Sequence, residues 1–142
     1  MTFVPKTRSE VQLWLSRFYD VCDSLDADRL PTIYTQYAKV QFGNLPVMDG
    51  LDALRNFFVP TWNKLEMMHH ETGNFDLVDD KIYQPCYITW KVKNDPEKET
   101  VIIPGFAVFH LVMEGDDKDL ISSAEFYMDS SPLMTAIQRS SS

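Results

Sequence analysis

Residues 42–62 read FGNLPVMDGLDALRNFFVPTW and join a turn to an amphipathic helix. The turn-forming letters GNLPVMDG end an apolar segment, and Asp49 and Asp52 stand where they can cap the helix that follows. Apolar side chains then recur at helical spacing, and they are Leu51, Leu54, Phe58, Trp62 and Leu65. Pro60 is expected to kink this helix, because it removes one backbone hydrogen bond.

The N-terminal part of the chain predicts two helices and a strand. Thr7 and Glu10 are spaced as a capping box, in which a hydroxyl and a carboxylate accept hydrogen bonds from free backbone amides. Apolar residues follow at helical spacing, and they are Val11, Leu15, Phe18, Cys22 and Leu25. A second, short helix is expected from Asp28 as N-cap to about Tyr34, and a strand over 37–42.

From Met67 onward the apolar residues alternate, which is typical of strands. Strands are expected at about 67–77, 81–93, 99–113 and 120–129. Long strands with short polar turns favour an antiparallel meander. Helices first and a meander last predict an α+β fold, in which the helices pack on one face of a curved sheet. The C-terminal tail, which ends in RSSS, is expected to fray.

The composition indicates one acidic domain with a small-molecule ligand. The 142 residues are 44% hydrophobic, which is enough for a single buried core. A formal net charge of -8 repels nucleic acid and anionic membranes, so we expect neither as a partner. No stretch approaches the roughly 18 apolar residues of a membrane span, and the first ten residues lack the apolar run of a signal peptide.

Cysteine and glycine usage points to a reduced compartment and to chemistry without a cofactor. Cys22 and Cys86 lie far apart and belong to no CxxC or Cys/His pattern, so neither a disulfide nor a structural zinc site is expected. None of the five glycines builds a phosphate-cradling loop, so we expect no cofactor. A cytoplasmic location is the corresponding expectation.

The order of the elements resembles a known superfamily. The F-G-x-x-P-x-x-x-G turn at 42–50 and the aromatic final strand that ends in Asp129 resemble the SnoaL-like branch of the NTF2-like proteins. The resemblance covers about residues 9–133. It implies a single NTF2-like cone over 1–142, with N-terminal helices packed on a strongly curved, mostly antiparallel sheet. Members include ketosteroid isomerase, scytalone dehydratase, SnoaL-type polyketide cyclases and fungal meroterpenoid isomerases, and others are non-catalytic binding modules.

Matching residue by residue separates the chain from ketosteroid isomerase. The resemblance puts Phe18 at the position of its helix-one tyrosine and Phe42 at the position of its catalytic aspartate, and neither side chain transfers a proton. Similarity to scytalone dehydratase offers Asp26 for its loop aspartate and His70 for its first strand histidine. Its second histidine falls near Trp90 or Lys91, so that machinery is at most half present.

The doublet His69 and His70, in the stretch MMHHET, predicts a base better than a metal site. Adjacent strand residues point to opposite faces and cannot reach one ion, and no third ligand follows at comparable spacing, so no metal is expected. A histidine side chain titrates close to physiological pH, which suits a base or proton shuttle. Similarity to scytalone dehydratase through Gly73 points His70 into the cavity, whereas similarity to ketosteroid isomerase points His69 inward.

The last strand carries the other catalytic candidates. Alternation puts Glu125, Tyr127 and Asp129 on one face, which the resemblance makes the cavity face. Burial in an apolar cavity raises the pKa of a carboxyl group, so Glu125 is the first candidate for a general acid or base. A solvated surface carboxylate is the equally weighted alternative. Tyr127 is expected either to donate to an oxyanion or to pack, and Asp129 either to assist or to cap the next turn.

The expected cavity wall is apolar and aromatic. On the strand at 82–92, the face with Cys86 is the more apolar and is expected to line the cavity, where tryptophans would suit a flat ligand or simply pack. The resemblance points the Gly105 face of the next strand inward and leaves His110 either in the pocket or at a subunit interface. The expected lining residues are Phe18, Asp26, Phe42, Trp62, Cys86, Ile88, Trp90 and Phe109.

Together these features predict a cofactor-independent SnoaL-like enzyme of secondary metabolism. The expected reaction is an acid–base isomerisation, cyclisation or dehydration of a small apolar intermediate of polyketide or terpenoid type. Glu125 and His70 are the expected acid and base, with Tyr127 or Asp129 as the polar helper. A homodimer through the outer face of the sheet is expected. The alternative is a non-catalytic NTF2-like module that binds a small molecule or a partner protein.

Overall fold

Three α-helices, a short 3-10 helix and seven strands make up the part of the chain that the structure describes. The structure is a computed structural model and describes residues 6–141, without the side chain of Thr72. The helices are α1 (Arg8–Asp23), the 3-10 helix (Ala27–Thr32), α2 (Leu51–Trp62) and α3 (Ser131–Ser140). The strands are β1 (Tyr34–Phe42), β2 (Met48–Asp49), β3 (Leu65–Thr72), β4 (Asp76–Val78), β5 (Lys81–Val92), β6 (Val101–Leu111) and β7 (Ile121–Met128).

The strands form one mixed sheet in the order β2-β1-β7-β6-β5-β3. Strand β4 stands outside this order and pairs with β5. The pair β1 and β7 is parallel, and the other pairs are antiparallel. The predicted α+β cone with a mostly antiparallel sheet is thus confirmed. Within residues 6–141, no helix combines the length and the apolar character that crossing a membrane requires.

Helix α1 begins at the predicted capping box and packs on the inner face of the sheet. The Glu10 amide donates to Thr7 Oγ1 at 3.2 Å, and the Thr7 amide donates to Glu10 Oε1 at 3.0 Å. Farther along the helix, the ring of Phe18 lies 4.8 Å from that of Phe109 on β6. The α1 stripe therefore supplies one wall of the interior, and its buried members are Val11, Trp14, Leu15, Phe18, Tyr19, Val21 and Cys22.

Three local predictions at helix and strand ends are wrong. Asp49 lies in β2, and Gly50 occupies the N-cap of α2 without a side-chain hydrogen bond. The φ of Gly50 is +92°, a conformation that favours glycine over an aspartate cap. Asp26, and not Asp28, caps the 3-10 helix, because its carboxylate accepts the Asp28 amide. The strand expected at 67–77 divides into β3 and β4.

The expected fraying of the C-terminal tail is wrong as far as Ser140, and Ser142 lies outside the described residues. Helix α3 covers Ser131–Ser140 and buries Leu133, Ala136 and Ile137. Its last turn is held by Arg139, whose guanidinium contacts three carboxylates in the turn between β5 and β6. A tertiary ion-pair cluster thus stabilises the last turn of a helix whose N-cap residue, Ser130, makes no side-chain capping hydrogen bond.

Asp95 is the centre of that cluster. It is 5% exposed, and its carboxylate accepts the amides of Glu97 and Glu99 as well as two hydrogen bonds from Arg139, at 2.7 and 2.8 Å. The Arg139 guanidinium is the main reason that the pKa of the Asp95 carboxyl lies well below its usual range. We call Arg139, Asp95, Glu97 and Glu99 the C-terminal clamp.

We expect the clamp to contribute stability that acid removes. Because the pKa of Asp95 is lowered on folding, its contribution is present above the ordinary aspartate pKa of about 3.9 and is lost as the pH falls through the lower folded-state pKa. Arg139→Gln and Asp95→Asn should each lower the melting temperature by several degrees at pH 7. The difference from the unaltered protein should begin to shrink below about pH 4 and should disappear only as the pH falls through the lowered folded-state pKa of Asp95.

Arg29→Gln is the matched control, because Arg29 pairs with the 73% exposed Asp20 and exposed pairs contribute little. Thermal unfolding followed by circular dichroism across this pH range makes the measurement. A melting temperature unchanged at pH 7 in both clamp variants would contradict the assigned role.

Candidate functional site

A cavity of about 450 Å³ lies between α1, α2, α3 and the inner face of the sheet. Its size falls in the range of small-molecule sites. One part of its wall is a contiguous aromatic group, in which Phe42 lies 5.0 Å from Phe57, 5.7 Å from Phe58 and 4.8 Å from Phe126 between ring centroids. No Asp, Glu, Lys or Arg side chain lies on the wall as far as residues 6–141 describe it. The cavity therefore favours an uncharged, apolar ligand.

Most of the residues that the sequence proposes for the lining lie on it. Those on the lining are Phe18, Phe42, Trp62, Cys86, Ile88, Trp90 and Phe109. Asp26 is the exception, because it is exposed and its carboxylate caps the 3-10 helix. The predicted inward faces of β5 and β6 are correct, and His110 lies off the cavity.

The register of β3 turns His70 inward. Met68 and His70 line the cavity, whereas the side chain of His69 is 60% exposed on the opposite face. The two side chains point to opposite faces of β3, but both Nδ1 atoms lie near the Asp23 carboxylate, with His69 Nδ1 3.7 Å from Oδ2 and His70 Nδ1 2.6 Å from Oδ1. Among the described residues, no group of three or more His, Cys, Asp or Glu is placed to hold a metal ion.

His70 is held by Asp23, the last residue of α1. The Nδ1 atom of His70 lies 2.6 Å from Asp23 Oδ1, and the His70 amide donates to Asp23 Oδ2 at 3.1 Å. Because an ionised carboxylate only accepts hydrogen bonds, Nδ1 carries the proton in this pair. The Nε2 atom is then the ring nitrogen left to accept a proton from a ligand in the cavity.

Tyr19 and Gln84 form a second buried contact beside this pair. The Tyr19 ring stacks on the His70 ring with 4.6 Å between centroids, and its hydroxyl donates to Gln84 Oε1. Gln84 is fully buried, and its Nε2 atom has no hydrogen-bond partner among the described residues. Burial raises the pKa of the Tyr19 hydroxyl, so it stays neutral.

The predicted cavity face of β7 is wrong. Ala124 is 2% exposed opposite Phe109 on β6, so alternation directs Phe126 and Met128 inward and Glu125 outward. An apolar cavity is lined by the apolar face of the strand, and Glu125 is absent from the lining. Tyr127 touches the cavity only at its rim, because its side chain is 49% exposed.

Asp129 caps the start of α3. Its Oδ1 atom accepts hydrogen bonds from the Ser131 amide at 3.0 Å and from the Ser131 hydroxyl at 2.5 Å. The Ser131 hydroxyl is the main cause that lowers the pKa of the Asp129 carboxyl. This geometry corresponds to the turn-capping alternative rather than to a cavity group.

Both cysteines lie on the lining and are poor nucleophiles there. Burial raises the pKa of the Cys22 thiol and of the Cys86 thiol, so both stay protonated at neutral pH. The sequence prediction of Cys86 as a small apolar wall residue agrees with this environment.

The sequence reasoning did not identify three polar residues that surround His70 at one end of the cavity, which we call the polar end. They are Tyr19, Asp23 and Gln84. Tyr19 and Asp23 are four residues apart on α1, so they share a helix face with the buried stripe, and this spacing was an available signal. Gln84 stands in the inward alternation of β5, where a polar residue among apolar ones marks a buried polar group.

No family model and no curated protein matches the sequence. Solved structures do match. A SnoaL-like polyketide cyclase candidate from Jannaschia sp. CCS1 is 14% identical, with 94% of this chain and 96% of that chain covered and a TM-score of 0.73. PrhC from Penicillium brasilianum NBRC 6234 is 11% identical, with 94% and 89% covered and a TM-score of 0.75.

The epoxide hydrolase/cyclase-like enzyme SalBIII, described for pyran ring formation in the polyether salinomycin, is 17% identical, with 87% and 93% covered and a TM-score of 0.71. These structures share the arrangement of helices and sheet over nearly the whole chain. The chain has the SnoaL-like, NTF2-like fold. At these identities the similarity concerns the fold and leaves the activity to be argued from the site.

We expect Tyr19 and Gln84 to be energetically coupled within this NTF2-like interior. Tyr19→Phe leaves Gln84 Oε1 unpaired beside its unpaired Nε2 atom, so it should destabilise the fold by about 1–3 kcal/mol. The double variant Tyr19→Phe, Gln84→Leu removes both polar partners and should be more stable than the sum of the two single changes predicts. Urea unfolding of the four proteins measures this coupling, and strictly additive changes would contradict the contact.

Proposed function

We propose that this chain is a cofactor-independent acid–base enzyme that isomerises, cyclises or dehydrates a small apolar intermediate of polyketide or terpenoid type. One observation carries the proposal, namely that His70 faces an apolar cavity while Asp23 holds its Nδ1 atom at 2.6 Å. Glu125, the first candidate from the sequence, has no part in this assignment, because it lies outside the cavity lining.

The contact with Asp23 gives His70 the two properties that a general base needs. It selects the tautomer with a free Nε2 atom, and it holds the ring in one orientation. When Nε2 accepts a proton from a carbon of the substrate, the carboxylate stabilises the resulting imidazolium. Return of the same proton to a second carbon completes an isomerisation without any co-reactant.

The location of Asp23 supports a functional rather than a merely structural role. A carboxylate at the C-terminal end of a helix lies in the unfavourable field of the helix dipole. Asp23 is only 20% exposed there, and it receives both the backbone amide and the ring of His70. A carboxylate in this location is unfavourable in isolation, and such a location is typical of residues that orient a reactive group.

The apolar wall supplies the other requirement of the reaction. Aromatic rings of α2 and of the sheet exclude water around a substrate and limit its conformations, which strengthens the hydrogen bonds at the reacting atoms. Stacked rings, such as Phe58 on Trp62 with 5.0 Å between centroids, favour a flat substrate. Matching structures include a cyclase candidate and a cyclase-like enzyme, which supports this class of substrate.

An α-proton exchange assay tests the proposal without knowledge of the natural substrate. The protein is incubated in D₂O with a panel of uncharged cyclic and polycyclic ketones, and deuterium incorporation is followed by mass spectrometry. We expect exchange above the buffer rate for at least one ketone. His70→Ala should lower that rate by about 10²–10⁴-fold, and Asp23→Asn by at least about tenfold, because the amide no longer enforces the tautomer.

His110→Ala is the matched control, because His110 lies on β6 outside the cavity, and it should keep the full exchange rate. An unchanged rate in both His70→Ala and Asp23→Asn would contradict the assignment. Ketone binding without any exchange would favour the alternative, a non-catalytic binding module with the same cavity.

We further propose that two copies of the chain associate through the outer face of the sheet. Four exposed apolar side chains lie there on neighbouring strands, with Tyr87 58%, Ile102 60%, Phe106 40% and Tyr127 49% exposed, and the last two also border the cavity. Such a contiguous apolar surface is unusual on a monomer and is typical of an interface.

Light scattering after size-exclusion chromatography tests this association. We expect a mass of twice 16.5 kDa for the unaltered chain at micromolar concentration. Ile102→Lys should yield the monomer, because a charge desolvated at the interface is unfavourable. Leu13→Lys, at a 73% exposed position on α1, should stay dimeric. A monomeric unaltered chain would rule out the proposed dimer.

A further inference from the structure

Gly105 lies in the middle of β6, where the backbone conformation does not require a glycine. Its φ lies outside the left-handed region, unlike that of Gly43, Gly50 and Gly115. A glycine inside a strand is less stable than alanine there, because it loses more conformational freedom on folding. Glycine at such a position often marks a place where a ligand approaches the backbone closely.

The surroundings of Gly105 show what the missing side chain leaves open. Gly105 pairs with Cys86 on β5 and with Met128 on β7, and all three residues line the cavity. A Cβ atom at this position would lie 3.5 Å from Cys86 Sγ and 3.7 Å from Ile88 Cδ1, which are ordinary contact distances. The position therefore accepts a small side chain, at the expense of cavity volume.

The floor of the cavity continues with a second small residue. Ala107 follows Gly105 on the inward face of β6 and also lines the cavity. The stacked rings of Phe58 and Trp62 on α2 belong to the same cavity wall. A part of the sheet with small or no side chains and a stacked aromatic pair thus bound one space.

We propose that Gly105 is a specificity-determining residue that sets how large a flat ligand the cavity accepts. The body of the ligand lies against the backbone of β6 at Gly105. His70 lies two strands away on β3, which corresponds to roughly 10 Å at about 4.8 Å per strand. A ligand that spans both places is a fused polycyclic molecule with its reacting end at His70.

This inference rests on the proposed function for the role of His70, but its test measures binding alone. Two flat, uncharged ketones serve as probes, namely the two-ring 1-tetralone and the four-ring benzanthrone. Binding to the full chain is followed by the fluorescence of Trp62 and Trp90, which line the cavity, and by calorimetry. The proteins compared are the unaltered chain, Gly105→Ala and Gly105→Val.

We expect Gly105→Ala to weaken benzanthrone binding about tenfold or more, and Gly105→Val to weaken it further. The affinity for 1-tetralone should stay within about threefold. The melting temperature of Gly105→Ala should be equal to or above that of the unaltered chain, because alanine loses less backbone entropy on folding. Gly73→Ala is the matched control, at an exposed glycine outside the cavity, and should leave both affinities unchanged.

Three results would overturn the inference. The first is that Gly105→Ala and Gly105→Val bind benzanthrone with an affinity within about threefold of that of the unaltered chain. The second is that both ketones lose affinity equally in these variants. The third is that neither ketone binds the unaltered chain. If the Gly105 variants lose affinity for the larger ketone only, but no ketone undergoes His70-dependent proton exchange, the inference stands and the proposed function is contradicted. His70-dependent exchange without the size effect would do the reverse.

Discussion

Side chains of successive strand residues point to opposite faces of a sheet, and this constraint decides which residues of β5, β6 and β7 can meet a ligand. Gln84, Cys86 and Ile88 point inward on β5, while Tyr87 between them is 58% exposed. The same alternation places an apolar outer surface directly behind the cavity wall. The ligand site and the proposed interface are therefore two faces of the same strands, and a change of register in one would invert both.

The polar end of the cavity forms where α1 meets the edge of the sheet. Strand β3 is last in the sheet order, so the amide of His70 finds its acceptor in Asp23 of the helix rather than in another strand. One carboxylate thereby satisfies an edge amide and orients the imidazole of the same residue. This double contact explains how a carboxylate is tolerated at the end of a helix, where the dipole opposes it.

Patterns within one element could be predicted from the sequence, and contacts between distant elements could not. The capping box at Thr7 and the inward face of β5 follow from the sequence pattern, the inward face of β6 follows from the family resemblance, and all three are correct. The Asp23–His70 contact joins residues 47 positions apart, and the Tyr19–Gln84 contact joins residues 65 apart, so the pattern within each element can indicate burial but not which residues meet.

Helix α3 was missed for the same reason. Its helical state depends on buried apolar residues and on the clamp between Arg139 and Asp95, which are 44 positions apart. The predicted orientation of Glu125 is wrong for a different reason. The polar face of β7 was assigned to the cavity, although a cavity that buries aromatic rings is lined by the apolar face.

The chemistry available at the site follows from which groups stay neutral. Burial keeps the thiols of Cys22 and Cys86 protonated, and the hydroxyl of Tyr19 is neutral and already donates to Gln84. Covalent catalysis by a thiolate is therefore disfavoured at neutral pH. His70 has a carboxylate partner on one ring nitrogen and the cavity beside it, so proton transfer is the reaction step that this arrangement supports.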